Sequence, residues 1–374
     1  MTGLTVADRA IDLAAPTLAQ QVLLRMATES AFEILCQAAE ETRAAHNVRL
    51  TDGRGPWSAS LERFIADHVA EYDLVVTHNY VFRPPVVAVE AAKTQGVPSI
   101  LIPHAHLDDD FYHFPDVLES ARKASLVLAA PRLACDFLAG KGVNVRYLPA
   151  GCDILEDFCP QDVEAFRKVF GGARPFILVL GRKAGAKGYQ KIIAAVEELN
   201  HDGVNLHVVL IGPDNDGVLV DSPNATYLGL QPRGVVRGAL MSCIALCNMS
   251  ASESFGLVIL EAWLAGKPVI LNKNCAAFHD MAVDGENALL VDDSSLKRGI
   301  AALVNDSDLC IRLANNGITV ARKFDWVSVT DSFVNHCVSI AAGAVGAVER
   351  LSQPWSDADF EIDQRRHAIV AADH

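Results

Sequence analysis

The apolar run Cys243-Ile244-Ala245-Leu246-Cys247 gives way to the small polar residues Ser250-Ala251-Ser252, and the segment that follows, Met249 to Asp293, reads as a loop, a helix and a second strand. Glu253 leads into Ser254-Phe255-Gly256, an apolar helix runs from about Leu257 to Ala265, Gly266 stops it, and Pro268 to Leu271 forms the next buried strand. Glu253 and Glu261 are separated by seven residues. The first lies in the loop and the second two helical turns deeper, so both can face one cleft at the carboxyl end of the strand. Gly256 at the helix start lets a ligand approach free backbone N–H groups, which suit a phosphate. The simpler alternative makes Glu253 a helix cap and Glu261 part of a solvated face. Against it, Glu261 sits among Leu260, Ala262, Trp263 and Leu264, where a carboxylate needs a partner.

The same alternation of strands and helices begins at Asp73. Strands are expected at Leu74–Thr77, Ser99–Ile102, Leu126–Leu128 and Val143–Leu148, with helices over Pro84–Gln95, Pro115–Lys123 and Pro131–Gly140. A polar lapse around Asp153 to Pro160 and a helix from Val163 to Phe170, ending at Gly171-Gly172, place a domain boundary at 171. A second series then runs through Pro175–Leu180, the helix Tyr189–Leu199, the strands His207–Ile211 and Ala225–Leu228, and helices near Ser295–Val304 and Leu309–Lys323. This pattern implies two α/β layers, each a parallel sheet covered on both faces. The organisation expected is 1–171, 172–325, a closing helix at 326–350 and an acidic tail at 351–374. Residues 5 to about 46 read as helix, 51–56 as a turn cluster, and Ser58 opens another helix towards Tyr72.

With 374 residues and 51% hydrophobic content, the chain has material for two cores. A net charge of −14 argues against nucleic acid as a partner, and the first 170 residues alone hold 23 Asp and Glu against 15 Lys and Arg. Nine scattered cysteines without a C-x-x-C pair suit a reducing compartment, where they act as small core hydrophobes. No leader and no membrane span are expected, so the chain reads as soluble and cytoplasmic.

The Glu253-x7-Glu261 pattern, its helix, the Ala265-Gly266-Lys267-Pro268-Val269 turn and the segment Asp284-Gly285-Glu286-Asn287 resemble the signature of the retaining glycosyltransferases of family 4. The resemblance covers roughly residues 73–347, with Asp325-Trp326 matching the motif that opens the family's closing helix. It implies a GT-B arrangement, two Rossmann-like domains facing across a cleft, with the last helix returning to the first domain. It also implies transfer of a sugar from a UDP- or GDP-sugar to an acceptor hydroxyl, with retention and without a metal or other cofactor. By this likeness Arg182 and Lys187, five apart in the loop Gly181–Gly188, hold the donor diphosphate; taken alone, that loop reads as a solvated basic turn. Glu253 contacts the sugar hydroxyls, Glu261 the ribose, and the Gly256-Leu257 backbone assists. His104, six residues after Pro98, matches the family histidine near the reacting centre. His78-Asn79 ends another strand facing the cleft, where an acceptor contact is possible.

Two departures stand out. The first seventy residues show no opening strand with a glycine-rich loop, so the first domain is expected to be rebuilt with helices, or its opening elements lie on another chain or were lost. Lys273 to Asp280 replaces the family's glycine-rich loop and glutamate, with Asp280 a shorter substitute. The acceptor class implied is a glycan, a lipid-linked molecule or a small molecule. An alternative is a non-catalytic or partner-dependent subunit. A third reading assembles His104, His106, Asp108, Asp109, Asp110 and His113 into a metal-dependent hydrolase site.

Overall fold

The computed structural model describes residues 58–107, 110–154 and 158–343. The expected helix at 5–46, the turn at 51–56 and the tail at 351–374 lie outside the described residues. Helix α1 (Ala59–His68) starts where Ser58 Oγ accepts from the Leu61 N–H at 3.3 Å.

The first sheet has four parallel strands in sequential order, β1 (Val75–His78), β2 (Ser99–Ile102), β3 (Leu126–Ala129) and β4 (Val145–Tyr147). Helices α2 (Arg83–Gln95), α3 (Pro115–Lys123) and α4 (Arg132–Gly140) connect them. Prolines in the first turns of α2 and α3 cost no hydrogen bond, and Gly96 ends α2 at a φ of 72°. Alternate strand residues feed two cores. Leu101, Val127 and Ala129 pack with Val89, Val117 and Leu138, whereas Ile100, Leu126 and Leu128 pack with Ile340, Phe333 and Cys337. The latter three belong to α11 (Trp326–Ala341), so the last described helix returns to cover the open face of the first sheet. Asp325 caps it, accepting from Val327 N–H at 2.8 Å and Ser328 N–H at 3.2 Å.

The second sheet is parallel throughout, with six strands ordered β10-β9-β8-β5-β6-β7. These are β5 (Phe176–Leu180), β6 (His207–Ile211), β7 (Ala225–Tyr227), β8 (Ala245–Asn248), β9 (Val269–Asn272) and β10 (Leu289–Val291). Its helices are α5 (Pro160–Phe170), α6 (Tyr189–His201), α7 (Arg233–Ser242), α8 (Leu257–Leu264), α9 (Leu296–Asn305) and α10 (Ser307–Ala321). The first strand of the series, β5, lies between the second and the fourth. The order therefore reverses between β5 and β8, and the loops leaving their carboxyl ends diverge around a crevice.

One expectation needs correction, and two elements carry too little local signal to be expected. Helix α5 was expected to close the first domain, with the boundary at 171, but it packs on the second. Asp162 binds Arg237 of α7 at 2.7 Å, Phe166 lies in the second core, and a Cβ at Gly238 would stand 2.0 Å from the Asp162 carbonyl oxygen. The crossover between domains therefore precedes Pro160. Helix α7 and strand β10 went unread. Glycines 234 and 238 lower the helical signal of α7, although Gly238 is what allows α5 to lie against it. Strand β10 is three residues long, too short for a period to show.

Candidate functional site

Two loops meet at the switch point. After β5, Gly181 passes so close to Gly212 that a Cβ on Gly212 would lie 1.8 Å from the Gly181 carbonyl, and the φ of Gly212 is 147°. The loop then carries Arg182, Lys183 and Lys187. Arg182 is exposed. Lys187 reaches the loop after β8, where its Nζ binds Glu253 Oε1 at 2.5 Å. The same oxygen accepts from Ser250 Oγ at 2.8 Å and Asn248 Nδ2 at 3.3 Å. A half-buried carboxylate gathering three donors is held in one orientation, and Lys187 is held with it.

Lys183 behaves differently from its neighbours. Only 3% exposed, it binds Asp214 at 2.8 Å, Asp216 and the Val218 carbonyl at 2.7 Å. Tyr189 donates its hydroxyl to Asp216 at 3.1 Å. These contacts raise the Lys183 ammonium well above its ordinary value against the opposing effect of burial, and they hold both aspartates below theirs. Lys183 thus ties the cationic loop to the loop after β6, a role the sequence did not reveal because Asp214 and Asp216 lie some thirty residues away.

Gly256, at a φ of 102°, precedes α8, and a Cβ there would stand 3.0 Å from Ile259 and 3.3 Å from Phe278. Leu257, the first helical residue, is exposed at 43%. Two turns on, Glu261 is partly exposed and lies 3.8 Å from Arg233 at the start of α7. The partner that its apolar neighbours demanded is therefore a guanidinium from another helix.

The first domain faces these loops with the ends of β1 and β2. His104 adopts a φ of 48° and its Nε2 lies 3.2 Å from His78 Nδ1. Burial lowers the His104 pKa, and the neighbouring rings of His78 and His106 lower it further. His106 turns elsewhere. Its Nδ1 meets Ser252 Oγ at 3.1 Å, a direct hydrogen bond between the domains one residue from Glu253. The two histidines therefore do not converge on one point, and His113 bonds the Leu107 carbonyl. Among the described residues no three His, Cys, Asp or Glu side chains are grouped to hold a metal; of the hydrolase candidates, Asp108, Asp109 and the side chain of Asp110 lie outside them.

Asp280 also differs from expectation. Instead of lining the crevice as a stand-in for glutamate, it is buried against the first domain. Its carboxylate oxygens accept from the Arg132 backbone N–H, the first of helix α4, at 2.9 and 3.1 Å. Burial raises its pKa from 3.8 to about 6 despite that bond and the Arg132 charge. The Arg132 guanidinium lies 4.3 Å from the centre of the Tyr147 ring.

The chain is similar to known proteins in sequence and in fold. Residues 161–320 match the family Glycosyl transferases group 1. The lipopolysaccharide core biosynthesis glycosyltransferase LpsE of Rhizobium meliloti is 32% identical over 171 residues, 43% of this chain and 48% of that protein. A D-inositol 3-phosphate glycosyltransferase of Corynebacterium jeikeium is 30% identical over 208 residues, 49% of this chain and 48% of that protein. The chain thus spans about half the length of the curated relatives it matches. The crystal structure of Anabaena Alr3699/HepE in complex with UDP-glucose superposes with a TM-score of 0.65 over 87% of this chain and 97% of that one, at 21% identity. No helix among the described residues is long and apolar enough to cross a membrane. With two parallel sheets and a switch-point crevice, the chain has the GT-B fold, and its residues 161–320 match the glycosyl transferases group 1 family.

Proposed function

We propose that this chain transfers a glycosyl group from a nucleoside diphosphate sugar, with UDP or GDP as carrier, to an acceptor hydroxyl with retention at the anomeric carbon. The observation that carries this reading is the Lys187–Glu253 pair at the switch point, opposite His104 and His106 of the other domain. Lys187 and the exposed Arg182 receive the diphosphate, and the N–H groups opening α8 at Gly256 and Leu257 add to them. Glu253 takes sugar hydroxyls, Glu261 takes the ribose hydroxyls, and His104 borders the sugar from the first domain. In the reaction the bond from the anomeric carbon to the diphosphate oxygen breaks and its electron pair leaves on the diphosphate. The acceptor oxygen bonds to the same face of that carbon, and its proton passes to the departing phosphate. Positive charge fixed in advance on Arg182 and Lys187 stabilises the leaving group without a metal.

A thermal-shift series with UDP, GDP, ADP and their sugar conjugates tests the donor site. A ligand binding only the folded chain at a hundredfold excess over its Kd stabilises by about 2.7 kcal/mol. The expected result is stabilisation by one nucleoside diphosphate, lost in Arg182→Ala and Lys187→Ala. Absence of any shift with the wild-type chain refutes the proposal.

A further inference from the structure

The ends of β1 and β2, which bring His104 to the donor sugar, concentrate further features beside it. Asn79 and His104 are the two non-glycine residues with positive φ among those described, at 69° and 48°. Such strain persists where surrounding structure enforces it and clusters at ligand sites. Thr77 Oγ1 and Asn79 Oδ1 are enclosed without a hydrogen-bond partner among the described residues, an uncommon condition for buried polar atoms. His78 and His104, both partly open to solvent, share a hydrogen bond of 3.2 Å.

We infer that His78 and His104 form a clamp for the acceptor, and that the acceptor presents a neutral hydroxyl-rich surface such as a sugar or polyol. This rests on the transferase reading and deepens it. The argument is one of proton counting. A neutral imidazole has one N–H and one bare nitrogen. In the bond between His78 Nδ1 and His104 Nε2, one ring donates and the other accepts. Whichever way that bond runs, the two remaining nitrogens, His78 Nε2 and His104 Nδ1, are then one donor and one acceptor. A hydroxyl, which both donates and accepts, complements that pair; a phosphate or carboxylate, which only accepts, does not. Burial and the neighbouring rings favour the neutral form of His104. The first cation after β1, Arg83, is bound by Glu62, with Nη2 to Oε2 at 2.9 Å, so anionic acceptors gain little from it.

The experiment uses the full chain with UDP-glucose or GDP-mannose, whichever binds. Methyl glucoside, methyl mannoside and myo-inositol serve as neutral acceptors, with glucose 6-phosphate and mannose 6-phosphate as anionic counterparts. Nucleoside diphosphate affinity is measured separately by calorimetry. His78→Asn keeps a polar atom near Nδ1 and lacks the outer nitrogen, whereas His78→Gln places an amide near Nε2. The expected result is that His78→Ala and His78→Asn lower kcat/KM for the neutral acceptor at least about tenfold, the loss expected when about 1.4 kcal/mol of transition-state binding goes. Nucleotide affinity stays within about twofold, and His78→Gln recovers part of the loss. Transfer unchanged in His78→Ala and His78→Asn, or preferred transfer to the phosphorylated acceptors, overturns the clamp while leaving the donor site standing. A wild-type chain that binds no nucleoside diphosphate and transfers no sugar overturns both.

Discussion

Replacing Asp280 by asparagine tests how the two domains are held against each other. Asp280 belongs to the second domain, is 8% exposed, and caps the N-terminus of α4 in the first domain through the Arg132 N–H. Burial raises its pKa from 3.8 to about 6. Between those values the native chain retains a proton that the unfolded chain has released, so native binding of protons exceeds unfolded binding and stability falls as pH rises through this window. The shift of about two units, at 1.36 kcal/mol each, sets a ceiling of about 3 kcal/mol on that fall. An asparagine side chain at this position would carry no charge and would not titrate. The expected outcome is that Asp280→Asn gains relative to wild type by about 1–3 kcal/mol between pH 4 and pH 7, read as the difference in urea midpoints at equal slope. Asp280→Ala removes the acceptor altogether and, at pH 4, costs about 1–2 kcal/mol as a lost helix cap. A stability difference between wild type and Asp280→Asn that does not change with pH refutes the reasoning.

Further outcomes follow from other contacts. Lys187→Ala is expected to lower kcat by about 100-fold or more, the range for removing one preorganised charge from a developing anion, with folding intact by circular dichroism. Unchanged turnover would remove Lys187 from the site. Arg237→Ala leaves the largely buried Asp162 carboxylate, now held below its ordinary pKa by that guanidinium, without its ion-pair partner; a loss of about 3 kcal/mol is expected in denaturant titration. The ion pair contributes in full above the ordinary carboxylate pKa and is lost as pH falls through the lowered pKa of Asp162, so the cost of the substitution shrinks in acid. Gly317→Ala places a methyl 2.1 Å from the buried Trp263 ring, and a loss of about 1–3 kcal/mol is expected, read as a lower melting temperature.

Strand and helix content was legible where local physics decides it. Buried strands such as Ser99–Ile102 and His207–Ile211 read as continuous apolar runs because both faces of a parallel sheet are covered, and Gly96 and Gly266 mark helix ends because only glycine takes those turns without cost. The spacing of Arg182, Lys187 and Glu253 follows a family pattern, and the fold puts all three on the loops after β5 and β8. The bond between Lys187 and Glu253 appears only in the folded chain, because the likeness gives the two residues separate roles.

What tertiary structure decided are the long-range pairings. Nothing in a loop sequence states that Lys183 meets Asp214 and Asp216, that His78 meets His104, that His106 reaches Ser252 across the cleft, or that Asp280 caps a helix of the other domain. The same applies to α5, which looked like the end of the first domain because the break at Gly171-Gly172 is a local signal, whereas the Asp162–Arg237 bond that assigns it to the second is not. Periodicity and turn residues are properties of neighbouring positions, so the chain alone determined its alternating layers and the ends of its strands. Which charges and rings meet at those ends depends on how two sheets stack and face each other, and only the folded molecule sets that.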